Sequence, residues 1–266
     1  MDAALRSLID WYARAGVDVP ALTPARPTRK KRAAATTQTT RQVEPTPSSK
    51  TTDTTQSNLD ISALIETATQ NARKAQSLDD LRAGIESFNA GRLSDNARGA
   101  VFARGNPVAK LMVIGEAPSA EDDVKGAPFS GREGSLLGRM LGAIGLSEDD
   151  YYLTLTVNWR LPQSRMVKPD EIDICRPFLR RHIELVAPAH ILMLGSTPLT
   201  ALTDTPRIMR EHGQWKRIKS GKPDNKGQEI PALPIYPPST LLTQADLKKD
   251  AWRDLLTLRA ALEGAA

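Results

Sequence analysis

The sequence predicts an α/β fold, a three-layer αβα sandwich around a central, mostly parallel, four-stranded sheet, and three observations predict it. Short apolar runs at 109–114, 151–157, 190–194 and 233–236 alternate with helix-periodic segments at 134–144, 169–186, 196–202 and 244–262, the rhythm of strand and crossover helix. Runs such as Leu111-Met112-Val113-Ile114 are apolar without alternation, as in a parallel strand buried on both faces. The third is length: 266 residues with 25% charged side chains suffice for one sizeable core plus an appendage. No internal repeat is visible.

In chain order, Ala3 to Ala15 spaces Ala4, Leu5, Leu8, Ile9, Trp11 and Tyr12 as a short amphipathic helix, marginal unless it docks on something. From 22 to 57 the chain is rich in Thr, Ser, Pro and Gln and has too little apolar surface to offset its ordering entropy, so a disordered linker is expected. Within it, Arg26, Arg29, Lys30, Lys31 and Arg32 fall in seven residues, either a solvated tether or one that grazes a phosphate backbone. The expected organisation is therefore a helix over 1–21, a basic linker over 22–57 and an α/β domain over 58–266. Helical spacing resumes near Leu59, and Ser77-Leu78-Asp79-Asp80 begins the next helix with a capping-box-like signal.

The net charge of +5 and pI near 9.4 suit a polyanionic partner, and suit ordinary solubility as well. A single cysteine, Cys175, rules out an internal disulfide framework and a cysteine-rich metal site and fits a reducing cytosol. No run approaches the roughly 18 apolar residues of a membrane span, and the first residues lack a secretory pattern. A monomer in the cytoplasm is expected.

The stretch that organises the rest is Val113 to Gly131. A buried strand leads into a loop carrying Glu116, Glu121, Asp122 and Asp123, then a Gly-Ala-Pro-Phe corner, then a helix. Loops at the carboxyl ends of parallel strands line the crevice where open α/β sheets bind ligands. The segment GEAPSAEDDVKGAPFSGREGSLLGRML resembles the first motif of the uracil-DNA glycosylases of family 4 and the related family 5. Downstream, Trp159-Arg160-Leu161-Pro162 with Arg165 and Pro169-Asp170-Glu171, then Cys175-Arg176-Pro177-Phe178-Leu179, Met193-Leu194-Gly195-Ser196, Gly213-Gln214-Trp215, Tyr236-Pro237-Pro238-Ser239-Thr240-Leu241-Leu242 and Trp252-Arg253-Asp254 follow that family's order and spacing over roughly 78–262.

The resemblance implies a base-excision enzyme that flips a deaminated base out of DNA and hydrolyses its glycosidic bond, in a cytoplasmic, bacterial nucleoid-associated setting. Carried over by position, Glu116 is the acid that activates water or stabilises the cationic sugar, Asp122 is a second acid of the same loop, Ala117 offers a main-chain group near the base, and the Phe129 ring stacks on it. Plain structural readings stand beside these: Glu116 neutralising a helix N-terminus, and Phe129 as a core aromatic.

Two positions depart from the family. Leu155 falls where the family has its uracil-reading asparagine, and leucine neither donates to nor accepts from an amide edge. Asn158, three residues on, faces the other way along a strand unless the strand bulges. Pro237 falls where the family has a histidine that donates to the departing base, and proline has neither a side-chain donor nor a backbone N–H. The family's four iron–sulfur ligand positions correspond to Phe88, Gly91, Trp159 and Cys175, so no cluster and no other cofactor or metal is expected, with the two aromatics filling the volume.

Two functions follow: a glycosylase acting on uracil or another deaminated base, or a glycosylase fold that binds DNA without the chemistry. Both use DNA as partner. Arg160, Arg165 and Lys168 form a basic loop for it, and Ser239 and Thr240 either contact phosphate or simply make a turn.

Overall fold

A computed structural model describes residues 51–219 and 229–264. The helix expected over Ala3 to Ala15 and the basic segment 26–32 lie outside the described residues. The first described helix, α1 (Thr51–Lys74), begins inside the stretch expected as linker, and α2 (Leu78–Glu86) follows. The Ser77 hydroxyl accepts from Asp80 N while the Asp80 carboxylate accepts from Ser77 N, so aspartate completes the capping box as glutamate would.

The sheet has six strands in the order β1-β3-β2-β4-β6-β5. Its centre is the parallel four-stranded unit that the apolar runs predict: β3 (Tyr151–Leu155), β2 (Leu111–Gly115), β4 (His190–Leu194) and β6 (Glu229–Ile235). The count of four is corrected by two antiparallel edges, β1 (Ala103–Gly105) beside β3 and β5 (Lys216–Lys219) beside β6. Short, partly exposed edge strands carry little apolar signal, and Ile218 is the one buried residue of β5.

Period-2 alternation sorts the strands into two cores. Leu111 and Val113 of β2, with Leu153, Leu192 and Leu233, pack beneath α4 (Arg132–Ala143) and α9 (Lys248–Glu263) through Leu137, Met140, Leu141, Leu255 and Leu258. Met112 and Ile114 face the other way, onto Leu179 and Ile183 of α5 (Pro169–Val186) and Leu199 of α6 (Ser196–Thr203). A third cluster joins α1, α2 and α5 through Leu81, Ile85, Phe88, Trp159, Cys175 and Phe178. The Phe88 ring lies 5.2 Å from Phe178, edge-on, and 6.0 Å from Trp159.

Three short helices complete the chain: α3 (Ala120–Lys125), α7 (Ile208–Glu211) and α8 (Pro238–Thr243). The acidic stretch expected as a loop therefore contains one and a half turns of helix. Among the described residues no helix is long and apolar enough to cross a membrane.

Candidate active site

The parallel strands β3, β2, β4 and β6 all end on one edge of the sheet, where their following loops enclose a cleft of about 580 Å³. Its wall includes Glu116, Ala117, Asp122, Phe129, Leu155, Arg165, Pro237, Ser239 and Thr240. Nine of the residues singled out in the sequence, drawn from three segments of the chain, thus meet around one cavity. Arg160 and Lys168 stand outside that wall.

Glu116 follows directly on β2. Its Oε1 accepts hydrogen bonds from Thr197 N at 3.1 Å, Thr197 Oγ1 at 3.0 Å and Ser196 Oγ at 3.3 Å. These donors form the first turn of α6, where unpaired N–H groups and the helix dipole favour a negative charge. The helix-neutralising reading and the placement in the cleft are therefore one arrangement. Gly195 makes room for it: its φ is +98°, and a Cβ there would meet Glu116 Oε1 at 2.6 Å. No larger residue satisfies both conditions.

Asp122 organises the opposite lip. Ser119 caps α3, its hydroxyl accepting from Asp122 N, while Asp122 Oδ2 accepts from Ser119 N at 3.0 Å. Asp122 Oδ1 accepts from Ser130 N at 2.6 Å, and Ser130 Oγ donates to Ala127 O at 2.6 Å. These bonds bracket Phe129, whose φ of +56° is unusual for a side-chain-bearing residue. Such a conformation costs about 1–2 kcal/mol and persists where neighbouring contacts over-determine it. The Phe129 ring crosses the end of β2: a Cβ on Gly115 would meet Phe129 Cζ at 2.5 Å and Leu155 Cδ2 at 2.8 Å. Phe129 and Leu155 together thus form an apolar floor, buried to 7% and 3% exposure.

On the far side, Pro237 is the N-cap of α8, with φ −71° and no side-chain cap bond. Thr240 N and Leu241 N donate to Pro237 O, so Ser239 and Thr240 belong to the first helical turn. Arg165 is engaged by Glu171, Nη1 to Oε2 at 2.9 Å and Nη2 to Oε1 at 2.5 Å, and Lys168 N donates to Glu171 Oε2 at 2.8 Å. The Glu171 carboxyl is raised by burial, but the Arg165 guanidinium and the Lys168 N–H outweigh this and leave it below the usual range. Arg160 Nη1 stands 3.9 Å from Asp123 Oδ2. Asn158 turns away and donates to Val101 O at 3.0 Å, as a residue three steps along an extended chain should. His212 pairs through Nδ1 with Asp254 Oδ2 at 2.9 Å.

Three wall residues were not foreseen. Ser196 and Thr197 could have been suspected from Gly-Ser-Thr after a buried strand. Glu133, in the first turn of α4, also faces the cleft. Burial first, and then the charges of Asp122, Glu116 and Glu121, push its carboxyl above the usual range. Nothing local in the sequence announces that.

The uracil DNA glycosylase superfamily model matches residues 102–256. Similar chains include the Type-4 uracil-DNA glycosylases of Archaeoglobus fulgidus, 30% identical over 66% of this chain and 88% of the relative, and Saccharolobus solfataricus, 34% identical over 62% and 77%. That of Thermotoga maritima is 31% identical over 59% and 79%. These relatives correct the expectation that the protein carries no cofactor: they are Type-4 enzymes, an iron–sulfur family, so kinship points to a 4Fe–4S cluster. The four corresponding positions hold one thiol, that of Cys175, which burial pushes up to about 12, beside the packed rings of Phe88 and Trp159. This side-chain set does not match a four-thiolate donor set, and no step below is routed through a metal. With the matched region spanning the strand ends, the acidic lip and the Pro237 turn, the chain belongs to the uracil-DNA glycosylase superfamily as a family 4/5-like member.

Proposed function

We propose that the cleft receives a deaminated base flipped out of DNA and that Glu116 drives hydrolysis of its glycosidic bond. The observation that carries this reading is the Glu116 carboxylate, anchored through Oε1 at the start of α6 and facing the same cavity as the Phe129 ring. Extrusion of a base costs a few kcal/mol, recovered by stacking and edge contacts in a fitted pocket. Phe129 supplies the stacking face, and the main chain at Ala117 lies beside it. As the C1′–N bond lengthens, its electron pair leaves with the base and positive charge grows on the sugar. The anchored carboxylate stabilises that charge and accepts a proton from the water whose oxygen bonds to C1′.

Leu155 offers the base edge no hydrogen bond, and Pro237 offers the departing oxygen no donor. Discrimination then rests on shape, stacking and main-chain groups, so the preference is broader than for uracil alone. Around the mouth, Arg160, Lys168, Ser239 and Thr240 contact phosphates of a DNA strand bound by a monomer, with a salt-sensitive affinity. A second reading, a DNA-binding module without chemistry, is favoured by the same two positions, Leu155 and Pro237.

Single-turnover assays at enzyme excess on DNA bearing uracil, hypoxanthine or xanthine separate the two. Excision of at least one base, lowered about 10²-fold or more in Glu116→Gln, is expected for an acid acting on the transition state. Native protein that cleaves none of them sinks the glycosylase reading.

A further inference from the structure

Three carboxylates face the cleft, and two of them are committed. Glu116 Oε1 is held by the start of α6. Asp122 spends one oxygen on Ser119 N and the other on Ser130 N. Glu133 differs: it borders the cleft from the first turn of α4, close behind Phe129 and Ser130, and its surroundings supply burial and negative neighbours without a hydrogen bond. An acid in that setting holds its proton, in spite of a helix N-terminus that favours the charged form. Across the cavity, where a histidine donor stands in the family, Pro237 has no proton to give.

Resting on the glycosylase reading above, we propose that Glu133 is the general acid of this cleft and that its substrate class is a deaminated purine, hypoxanthine or xanthine. The chemistry of the leaving group argues for purines. Uracil departs through N1 as an anion delocalised over its own carbonyls. A purine departing through N9 is made a much better leaving group by a proton at N7. In the balanced step the C1′–N9 bond breaks with its pair going to the base, Glu133 transfers its proton to N7, water oxygen bonds to C1′, and the water proton passes to Glu116. Solvent then returns Glu133 to its neutral form and Glu116 to its charged one. The apolar Leu155 floor suits a base not read through a uracil amide edge. The charged groups facing Glu133 are Glu116 after β2 and Glu121 and Asp122 on α3; Arg165, on the cleft wall, is neutralised by Glu171.

The test measures single-turnover excision of hypoxanthine and of uracil by the full chain, from pH 5 to 9, for native protein, Glu133→Gln and Glu133→Asp. Loss of a positioned acid lowers the hypoxanthine rate of Glu133→Gln about 10²-fold. The uracil rate falls less, so the hypoxanthine-to-uracil ratio drops at least tenfold. In native protein the hypoxanthine rate declines as pH rises through the elevated range of Glu133. Glu133→Asp keeps part of that rate and its decline, and Glu133→Gln shows no such decline. A ratio unchanged by Glu133→Gln, in native protein that does excise hypoxanthine, overturns the assignment of Glu133 and leaves the glycosylase reading standing. Native protein inactive on both bases overturns the two together.

Discussion

The two walls of the cleft are built on opposite principles. The wall formed by the end of β2, α3 and the start of α4 is polar and cross-braced: Glu116 is tied to α6, Asp122 to Ser119 and Ser130, and the strained Phe129 is held between them. The wall formed by the ends of β3 and β6 is apolar, with Leu155 and Pro237 presenting no donor. The difference separates two tasks that a glycosylase combines. Stabilising charge on the sugar needs a fixed carboxylate, and the first wall has it. Reading a base edge needs aimed donors and acceptors, and the second wall does not provide them.

The largest expected effect breaks the first wall at its functional atom. Glu116→Gln keeps an oxygen for the α6 donors, so stability should hold while excision falls about 10²–10³-fold, roughly 3–4 kcal/mol of transition-state stabilisation; stopped single-turnover assays beside thermal melts check both halves. Next, Leu155→Asn gives the second wall an amide. The site is nearly fully buried, so the lost packing and the buried amide should destabilise by about 3 kcal/mol in urea unfolding, while uracil excision rises relative to hypoxanthine. A fall in that relative rate would show that the wall does not contact the base edge. Third, Asp122→Ala removes acceptors from two backbone N–H groups and should cost about 2 kcal/mol, with loss of excision as Phe129 relaxes from its positive φ. The smallest effect belongs to Arg165→Gln. Its pair with Glu171 is about one-third exposed on the arginine side, so the change in stability should stay below about 1 kcal/mol. Because the guanidinium is already occupied, the salt slope of DNA binding should shift by less than about one.

The parallel centre of the sheet was legible because strands buried on both faces are written as unbroken apolar runs, as in Leu111–Ile114. Its antiparallel edges were not, since Ala103–Gly105 has only three residues and Lys216–Lys219 alternates a single apolar side chain with lysine and arginine. Helix α3 was missed for a related reason: six residues hold no apolar period, and only the Ser119 and Asp122 spacing announced a cap. In the site, segments adjoining strand ends were legible because α/β topology sends them to one edge. Glu133 was not, since its proton affinity comes from carboxylates 12 and 17 residues away in sequence and from burial that only the folded cleft creates. The helix partner of Glu116 was equally hidden, because Thr197 lies 81 residues from it.

The pairing of β2 with the chain after β3 continues past both strands: Thr156 N donates to Gly115 O at 2.9 Å and Val157 N to Glu116 O at 3.0 Å. Two residues further on, Trp159 enters the aromatic cluster with Phe88. The backbone of Glu116 is therefore geared to the packing of a region that borders α1 and α2 and contains none of the proposed chemistry. A cavity opened there, by trimming Phe88 or Phe178, would feed slack along this short drive train and unseat the carboxylate by tenths of an ångström, which is enough to detune a reaction whose rate depends on alignment.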